Sequence, residues 1–226
     1  MNEQIILALD CSSTQEVVAL TTQFSGKIKW VKVGMELFYG VGPEIIHLLK
    51  DQHFSIFLDL KLHDIPTTVN HALKNLCKLP IDMINVHAMG GVEMLKEASL
   101  VVKDSRYSPY LIAVTELTST SPEEFNTRHF NCTLTEHVAR LAQLAYESQL
   151  DGVVCSAHEV PVIKNLCGPD FLCVTPGIRF QASDNDDQKR VMTPSEALKL
   201  GSDFLVMGRS LIKNPQLINS ISGGSL

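Results

Sequence analysis

The amino-acid sequence predicts a single-domain α/β fold, a (β/α)8 barrel spanning residues 1–226. Eight short apolar runs recur along the chain, and each is followed by a stretch in which the apolar residues have helical spacing. Each strand-then-helix unit takes about 28 residues, which fits a compact barrel better than a doubly wound sheet. No Gly-rich dinucleotide-binding fingerprint follows the first run, and this weakens the doubly wound alternative further.

The predicted strands are apolar on both faces, as expected of a parallel sheet covered by helices. In chain order they are IILALD (5–10), KWVKVG (29–34), SIFLDLK (55–61), MINVHA (83–88), YLIAVTEL (110–117), GVVCSA (152–157), FLCVTPG (171–177) and DFLVMG (203–208). The predicted helices are 13–24, 36–52, 67–78, 91–104, 134–149, 158–166, 194–200 and one after residue 209. Two long polar segments, 118–133 and 179–193, are expected to be loops on the catalytic face.

The composition argues against several classes of function. Nineteen Lys and Arg against twenty-five Asp and Glu give a net charge of −6 without a basic stripe, so we expect no nucleic-acid partner and no acidic membrane surface. The N-terminal apolar run is short and lacks a basic flank, so neither a secretory signal nor a membrane span is expected. Six scattered cysteines without C-x-x-C pairs indicate free thiols, which favours a cytoplasmic location.

Charged residues lie at the C-terminal ends of the first three predicted strands, where a barrel places its functional groups. Asp10 ends the first strand, Lys32 lies near the end of the second, and Asp59 and Lys61 end the third within FLDLKLHDIPTT (57–68). Strand alternation points Asp59 and Lys61 to the same face. We therefore expect a row of alternating charge that keeps both lysines protonated, a state suited to proton donation. The alternative is an ion-pair network that only neutralises the charged groups at the mouth of the barrel and has no catalytic role.

A phosphate site is expected at the end of the eighth strand. Gly208 and Arg209 lie at a strand-to-helix turn, where backbone N–H groups and the guanidinium group can bind an anion. Arg179 and Gln188, on the long seventh loop, could close over the same phosphate.

Two other polar residues near strand ends have competing interpretations. Asp64 precedes Pro66, which suits the first turn of a helix, so the Asp64 side chain could cap that helix as well as serve catalysis. His87 is expected to pack and hydrogen-bond at its strand end rather than bind a metal, because no partner motif for metal binding accompanies it.

Seven motifs together resemble the orotidine 5′-phosphate decarboxylase family in its compact bacterial form. They are LALD, VKVG, FLDLKLHDIPTTV, NVHAMGG, AVTELTS, VTPGIR followed by DDQKRVMTP, and VMGRSL. The resemblance covers about residues 5 to 216, and the pattern D-x-K-x-x-D-I-P-x-T is highly specific. It implies decarboxylation of orotidine 5′-monophosphate to uridine 5′-monophosphate, the last step of de novo UMP biosynthesis, with no cofactor and no metal.

The resemblance also implies a role for each matching residue of the charge row. Asp10 would hold the ribose hydroxyls, and Lys32 would bridge the ribose and the other charges. Asp59 would face the substrate carboxylate, and Lys61 would donate the proton to C6.

The remaining implied roles concern binding and assembly. Asp64, Ile65 and Thr68 would reach into the neighbouring subunit's site, so a homodimer with two shared sites is expected. Thr118 would contact the pyrimidine edge. The 5′-phosphate would be bound by the residues predicted above for that purpose, namely Gln188, Gly208 and Arg209, with Arg179 in support.

Two alternatives remain at this point. The Mg²⁺-dependent 3-keto-L-gulonate 6-phosphate decarboxylase barrel also carries an Asp-x-Lys-x-x-Asp strand. Lys32 argues against this alternative, because that family has a metal-binding carboxylate at the matching position. The DIPTT segment also argues against it. A non-catalytic nucleotide-binding barrel is the other alternative. The intact set of Asp59, Lys61 and Asp64 argues against a non-catalytic role.

Overall fold

The computed structural model describes residues 1–128, 130–180 and 192–221, and its eight parallel strands close into a barrel in chain order. The predicted (β/α)8 fold is therefore confirmed. Strand pairing runs from each strand to the next, and the last strand pairs with the first. The strands are β1 (Asn2–Leu9), β2 (Ile28–Gly34), β3 (Ser55–Leu62), β4 (Met83–His87), β5 (Tyr110–Val114), β6 (Gly152–Val154), β7 (Leu172–Thr175) and β8 (Phe204–Met207).

Helices surround the barrel and cover the outer faces of the strands. They are α1 (Thr14–Phe24), α2 (Met35–Val41), α3 (Glu44–Asp51), α4 (Pro66–Leu76), α5 (Gly91–Lys103), α6 (Pro122–Asn126), α7 (Leu134–Glu147), α8 (Val160–Cys167), α9 (Pro194–Lys199), α10 (Arg209–Lys213) and α11 (Ile218–Ile221). Three 3₁₀ turns lie at Ala88–Gly90, Ala157–Glu159 and Pro215–Leu217. Among the described helices, none has the length and apolar character that crossing a membrane requires.

The sequence itself explains where several helices begin. Thr133 and Thr193 each precede a helix whose third residue is glutamate, and both form a capping box in which side chain and backbone bond reciprocally. These reciprocal bonds satisfy backbone N–H groups that have no partner inside the helix. The helix starts predicted at 134 and 194 are confirmed.

The single helix predicted over 36–52 is wrong, because the chain breaks there into α2 and α3. Gly42 ends α2 with a φ of +96°, which glycine adopts without steric cost, and Pro43 follows as the N-cap of α3. Proline lacks the N–H that a continuous helix needs, so the break follows from the sequence. The segment predicted as a loop over 118–133 also contains the short helix α6. The last four strands end before their predicted limits, and Thr118 lies in the loop after β5, as predicted.

The barrel interior is closed by an apolar layer that lies below the C-terminal strand ends. Trp30 packs edge-on against Phe204 with ring centroids 5.3 Å apart. The fully or almost fully buried members of this layer are Ile6, Trp30, Phe57, Met83, Ile112 and Val174. Because side chains alternate along a strand, the residues two positions later also point inward, one level closer to the mouth. That upper level contains Lys32 and Asp59.

Candidate active site

Four charged side chains from three neighbouring strands meet at the barrel mouth. The Lys61 Nζ atom lies 2.7 Å from Asp59 Oδ1, and Lys32 Nζ lies 3.3 Å from Asp59 Oδ2. Lys32 Nζ is also 3.8 Å from Asp10 Oδ1, which extends the row to the end of β1. The structure thus has the alternating charges in the predicted order, while the chemical role of each residue stays a prediction.

Asp59 is the buried centre of this row. Burial is the largest influence on the pKa of its carboxyl group and raises it, but the charges of Lys32 and Lys61, with hydrogen bonds from Lys61 and Asn85, lower the pKa by more in total. The net pKa therefore lies below the ordinary value for aspartate, and Asp59 is ionised at neutral pH. A buried anion held between two ammonium groups gives each lysine a fixed position.

Lys61 has an unusual backbone conformation for a strand residue. Its φ is +51°, in the left-handed region that residues with a side chain rarely adopt, and the pairing of β3 with β4 shifts register between Leu58 and Leu62. The Asn85 side chain holds this geometry: its Oδ1 accepts a hydrogen bond from Lys61 N at 2.8 Å, and its Nδ2 donates to Asp59 Oδ1 at 2.7 Å. One buried amide therefore fixes both the strained backbone of Lys61 and the carboxylate beside it.

The row forms part of the lining of a cavity of about 330 Å³ at the C-terminal ends of the strands. This volume is within the range of small-molecule sites. Eight residues predicted from the sequence line it, namely Asp10, Lys32, Asp59, Lys61, Thr118, Arg179, Gly208 and Arg209. The ends of six strands bring these residues together, so the cavity is a composite of distant parts of the chain.

The part of the cavity next to β7 and β8 carries the predicted phosphate-binding groups. Arg179 is anchored through its backbone, because its N–H donates to Met192 O at 3.0 Å and the bridge between Ile178 and Met192 ties the two ends of the loop together. Helix α10 has only five residues, so its dipole is small and the charge of Arg209 has to supply most of the attraction for an anion. Gln188 lies outside the described residues.

Comparisons with known proteins agree with this geometry. The family model described as "Orotidine 5'-phosphate decarboxylase / HUMPS family" matches residues 3–221. The chain belongs to this family. Over 218 residues it is 51% identical to an orotidine 5'-phosphate decarboxylase of Geobacillus sp. (strain WCH70), which covers 94% of this chain and 91% of that protein. A protein of the same name from Streptococcus suis (strain 05ZYH33) is 53% identical over 212 residues, covering 92% and 90%.

A comparison with solved structures also matches the chain to an orotidine 5'-phosphate decarboxylase. The crystal structure of orotidine 5'-phosphate decarboxylase from Lactobacillus acidophilus matches with a TM-score of 0.84 and 36% sequence identity. The match covers 99% of this chain and 100% of that one. The similarity to this decarboxylase therefore extends over the whole barrel.

In this member of the orotidine 5′-phosphate decarboxylase / HUMPS family, three predicted site residues lie apart from the cavity. Asp64, Ile65 and Thr68 are exposed, and none of them lines it. Asp64 does not cap α4 as its alternative interpretation required: the N-cap is Ile65, and Asp64 Oδ1 accepts a hydrogen bond from Ile65 N at 2.7 Å. Asp64 therefore neither caps α4 nor lines the cavity of its own chain.

His87 lies at the end of β4, half-buried, with its ring 5.3 Å from that of His63. Its pKa is lowered below the ordinary value, first by burial and then by the neighbouring His63 and Lys61, so the imidazole is neutral at pH 7. Within residues 1–128, 130–180 and 192–221, no group of three His, Cys, Asp or Glu side chains has an arrangement suited to a metal ion.

Two buried polar residues near the cavity of this family member are not among the site residues predicted from the sequence. Asn85 follows Met83 by two residues and therefore points inward, so strand alternation was the signal that could have found it. Glu116, just beyond β5, is only 7% exposed and pairs with Arg128. No local pattern predicts that contact, because it depends on how the following loop folds back.

Proposed function

We propose that this protein decarboxylates orotidine 5′-monophosphate to uridine 5′-monophosphate without a cofactor. The observation that carries the proposal is the contact between Lys61 Nζ and the buried, ionised Asp59, at 2.7 Å, in the lining of the cavity. Membership of the family and the names of its relatives at about 50% identity support the same reaction.

The reaction sets a clear requirement for the site. When the bond between C6 and the carboxylate breaks, carbon dioxide leaves and the electron pair stays on C6, where no neighbouring group can accept it. A positive charge fixed beside C6 before the bond breaks stabilises this pair without rearrangement. Lys61 supplies that charge, and its ammonium group then donates a proton to C6 and regains one from solvent.

Asp59 has two functions in this proposal. It orients the Lys61 ammonium group, and it places an ionised carboxylate where the substrate's own carboxylate must bind. Repulsion between the two carboxylates is relieved when carbon dioxide leaves, which favours the forward step. Asp10 and Lys32 complete the row, and the family resemblance supports the assignment of the ribose hydroxyls to Asp10 and of a bridge between the ribose and the other charges to Lys32.

The 5′-phosphate binds in the part of the cavity next to β7 and β8 in this proposal. Arg209 and Gly208 lie there at the end of β8, and Arg179 follows β7. Contacts to a group remote from the reacting carbon contribute to catalysis when they help to organise the site around C6. We assign Gln188 to the same phosphate on the basis of the family resemblance.

We further propose that the protein acts as a homodimer with shared sites. The support is the position of Asp64, Ile65 and Thr68, which are exposed and outside their own cavity. Ile65 is 66% exposed and Met89 is 47% exposed, and both line a shallow depression next to Asp64. An exposed apolar surface beside a charged residue suits an isologous contact that carries Asp64 into a partner's site.

The reduced state of the cysteines is consistent with a cytoplasmic location. All six cysteines are free, and five of them are buried. Free thiols are typical of reducing compartments. We propose this location on that basis.

The direct experiment follows the ultraviolet change of orotidine 5′-monophosphate with the wild type and with Lys61→Ala, each with and without a chelator. We expect full wild-type activity after chelation and a loss of about a hundredfold or more in Lys61→Ala. Binding of uridine 5′-monophosphate to Lys61→Ala is the control for an intact cavity. A wild type without decarboxylase activity contradicts the proposal, and activity that requires a divalent ion supports the Mg²⁺-dependent alternative.

A mixing experiment tests the shared sites. Lys61→Ala and Asp64→Ala are each expected to be inactive as pure proteins. If Asp64 acts in the partner's site, a mixed dimer has one site with both residues intact, and random exchange of equal amounts restores about one quarter of the wild-type activity. Absence of recovery after verified subunit exchange places Asp64 in its own chain's site or outside the reaction.

A further inference from the structure

We propose that Glu116 is a positioning residue for the loop over residues 115–121, which forms one wall of the cavity, and that it acts through Arg128. The inference rests on the proposed function, because it takes this wall to be the one that faces the pyrimidine. The loop follows β5 and contains Thr118, which the family resemblance assigns to the pyrimidine edge.

The Glu116 carboxylate is bound from several directions by parts of the same loop region. Its Oε1 accepts hydrogen bonds from Thr120 Oγ1 at 2.8 Å and from Leu117 N at 3.3 Å. Arg128 Nη1 lies 2.9 Å from Oε1 and 3.1 Å from Oε2. The chain between 116 and 128 is therefore folded around one buried carboxylate, which is 7% exposed.

A group of aromatic rings that do not line the cavity lies beside this ion pair. Phe130 stacks on His137 with centroids 4.6 Å apart, and Phe125 stacks on Phe130 at 5.2 Å. His137 Nε2 is 4.0 Å from Glu116 Oε2, but the pKa of His137 is lowered, chiefly by burial, so this imidazole is neutral at pH 7. Arg128 is therefore the cation that balances Glu116 within the described part of this cluster.

The distribution of charged residues around the cavity indicates which part of a bound nucleotide this wall would face. The cations that line the cavity lie on β2 and β3 and after β7 and β8. The loop after β5 contributes Glu116, whose charge is paired with Arg128, and the neutral residues Leu117, Thr118 and Ser119. Neutral hydroxyl and backbone groups suit the C=O and N–H groups on the edge of a pyrimidine, whereas the phosphate and the carboxylate need cations.

Arg128 makes the inference testable, because it touches Glu116 but does not line the cavity. If Glu116 acts by holding the loop, the loss of Arg128 has the same effect as the loss of Glu116. If Glu116 instead binds the ligand directly, the loss of Arg128 leaves binding unchanged. Glu124 offers a matched control, since it also approaches Arg128, at 3.5 Å, but is half exposed on α6.

The experiment measures inhibition constants of uridine 5′-monophosphate and ribose 5-phosphate in the decarboxylation assay for Glu116→Gln, Arg128→Met and Glu124→Gln. Ribose 5-phosphate contains the phosphate and the sugar but no base. We expect uridine 5′-monophosphate to bind about tenfold more weakly to the first two variants, which corresponds to one misplaced hydrogen bond. Ribose 5-phosphate is expected to bind as to the wild type in all three, and Glu124→Gln to match the wild type for both ligands.

Each other outcome overturns the inference. Equal weakening of both ligands indicates general damage to the barrel, and a change confined to Glu116→Gln indicates direct contact. Unchanged binding in both variants means that the ion pair has no part in base recognition. If Arg128→Met does not fold, Arg128→Lys is the substitute, because it keeps the charge without the planar guanidinium group. It is likewise expected to weaken the binding of uridine 5′-monophosphate and to leave that of ribose 5-phosphate unchanged. A wild type that does not decarboxylate the substrate contradicts the proposed function instead.

Discussion

Asn85→Asp tests how the charge row is held, because it changes one atom of a fully buried side chain. The Asn85 amide donates to Asp59 Oδ1 at 2.7 Å and accepts from Lys61 N at 2.8 Å. The introduced carboxylate has the same shape but places a second negative oxygen beside Asp59. Two unit charges 2.7 Å apart repel by about 6 kcal/mol at an effective dielectric constant of about 20.

The repulsion is large enough to decide the protonation state. Keeping an ordinary aspartate protonated at pH 7 costs about 4 kcal/mol, which is less than the repulsion. The pair therefore retains one proton, and that proton lies on the introduced carboxyl group, since Asp59 is stabilised as an anion by two lysines. A neutral carboxyl group can donate to Asp59 and accept from Lys61 N, as the amide does. We expect kcat within about threefold of the wild type at about pH 6.

As the pH rises through the raised pKa, the introduced group ionises and the hydrogen bond to Asp59 is lost. Loss of a charge-assisted hydrogen bond costs about 1.5–3 kcal/mol, so kcat is expected to fall at least about tenfold between pH 6 and about pH 9 relative to the wild type. Asn85→Ala is the companion variant, with lowered kcat at every pH and a free energy of unfolding about 2–4 kcal/mol smaller. Asn85→Asp with the pH profile of the wild type refutes the reasoning, as does Asn85→Ala with unchanged kcat.

Three further predictions concern the other parts of the site. Arg209→Ala is expected to raise KM for the phosphorylated substrate by about ten- to a hundredfold while uridine binding is unchanged, and equal losses on both argue against a phosphate role. Gly208→Ala is expected to melt like the wild type, because the added Cβ meets Asp10 Oδ2 only at an ordinary 3.4 Å, but to raise KM by placing a methyl group in the cavity. NMR titration should give His87 a pKa below 6.5, chiefly because of burial. A lowered pKa means that the unfolded chain binds a proton at His87 more readily than the folded chain. The free energy of unfolding of the wild type is therefore expected to fall relative to that of His87→Gln as the pH drops below about 6.5. A measured His87 pKa above 6.5 contradicts this prediction.

Strand alternation explains why so much of the site could be predicted. Along β3 it places Asp59 and Lys61 on one face, and parallel neighbours bring Lys32 and Asp10 to the same level. The same rule, applied to β4, also selects Asn85. The break between α2 and α3 was equally available from Gly42 and Pro43, because proline interrupts a continuous helix.

Other features depend on contacts that no local pattern reveals. Glu116 and Arg128 are twelve residues apart and meet only because the intervening loop folds back. DLKL is typical of an ordinary strand, so the left-handed conformation of Lys61 could not be predicted from it. The role proposed for Asp64 depends on a second chain, and a single sequence contains no information on how two copies approach each other.

The left-handed backbone at Lys61 has a consequence for engineering. Lysine is strained at a φ of +51°, whereas glycine adopts such an angle freely and asparagine tolerates it better than most residues. Replacement of Lys61 by glycine is therefore expected to give a protein that melts at a higher temperature than Lys61→Ala. The same replacement removes the ammonium group that pairs with the buried Asp59, so relief of backbone strain is opposed by loss of this ion pair when Lys61→Gly is compared with the wild type. Any programme to stabilise this barrel has to screen for turnover and stability together.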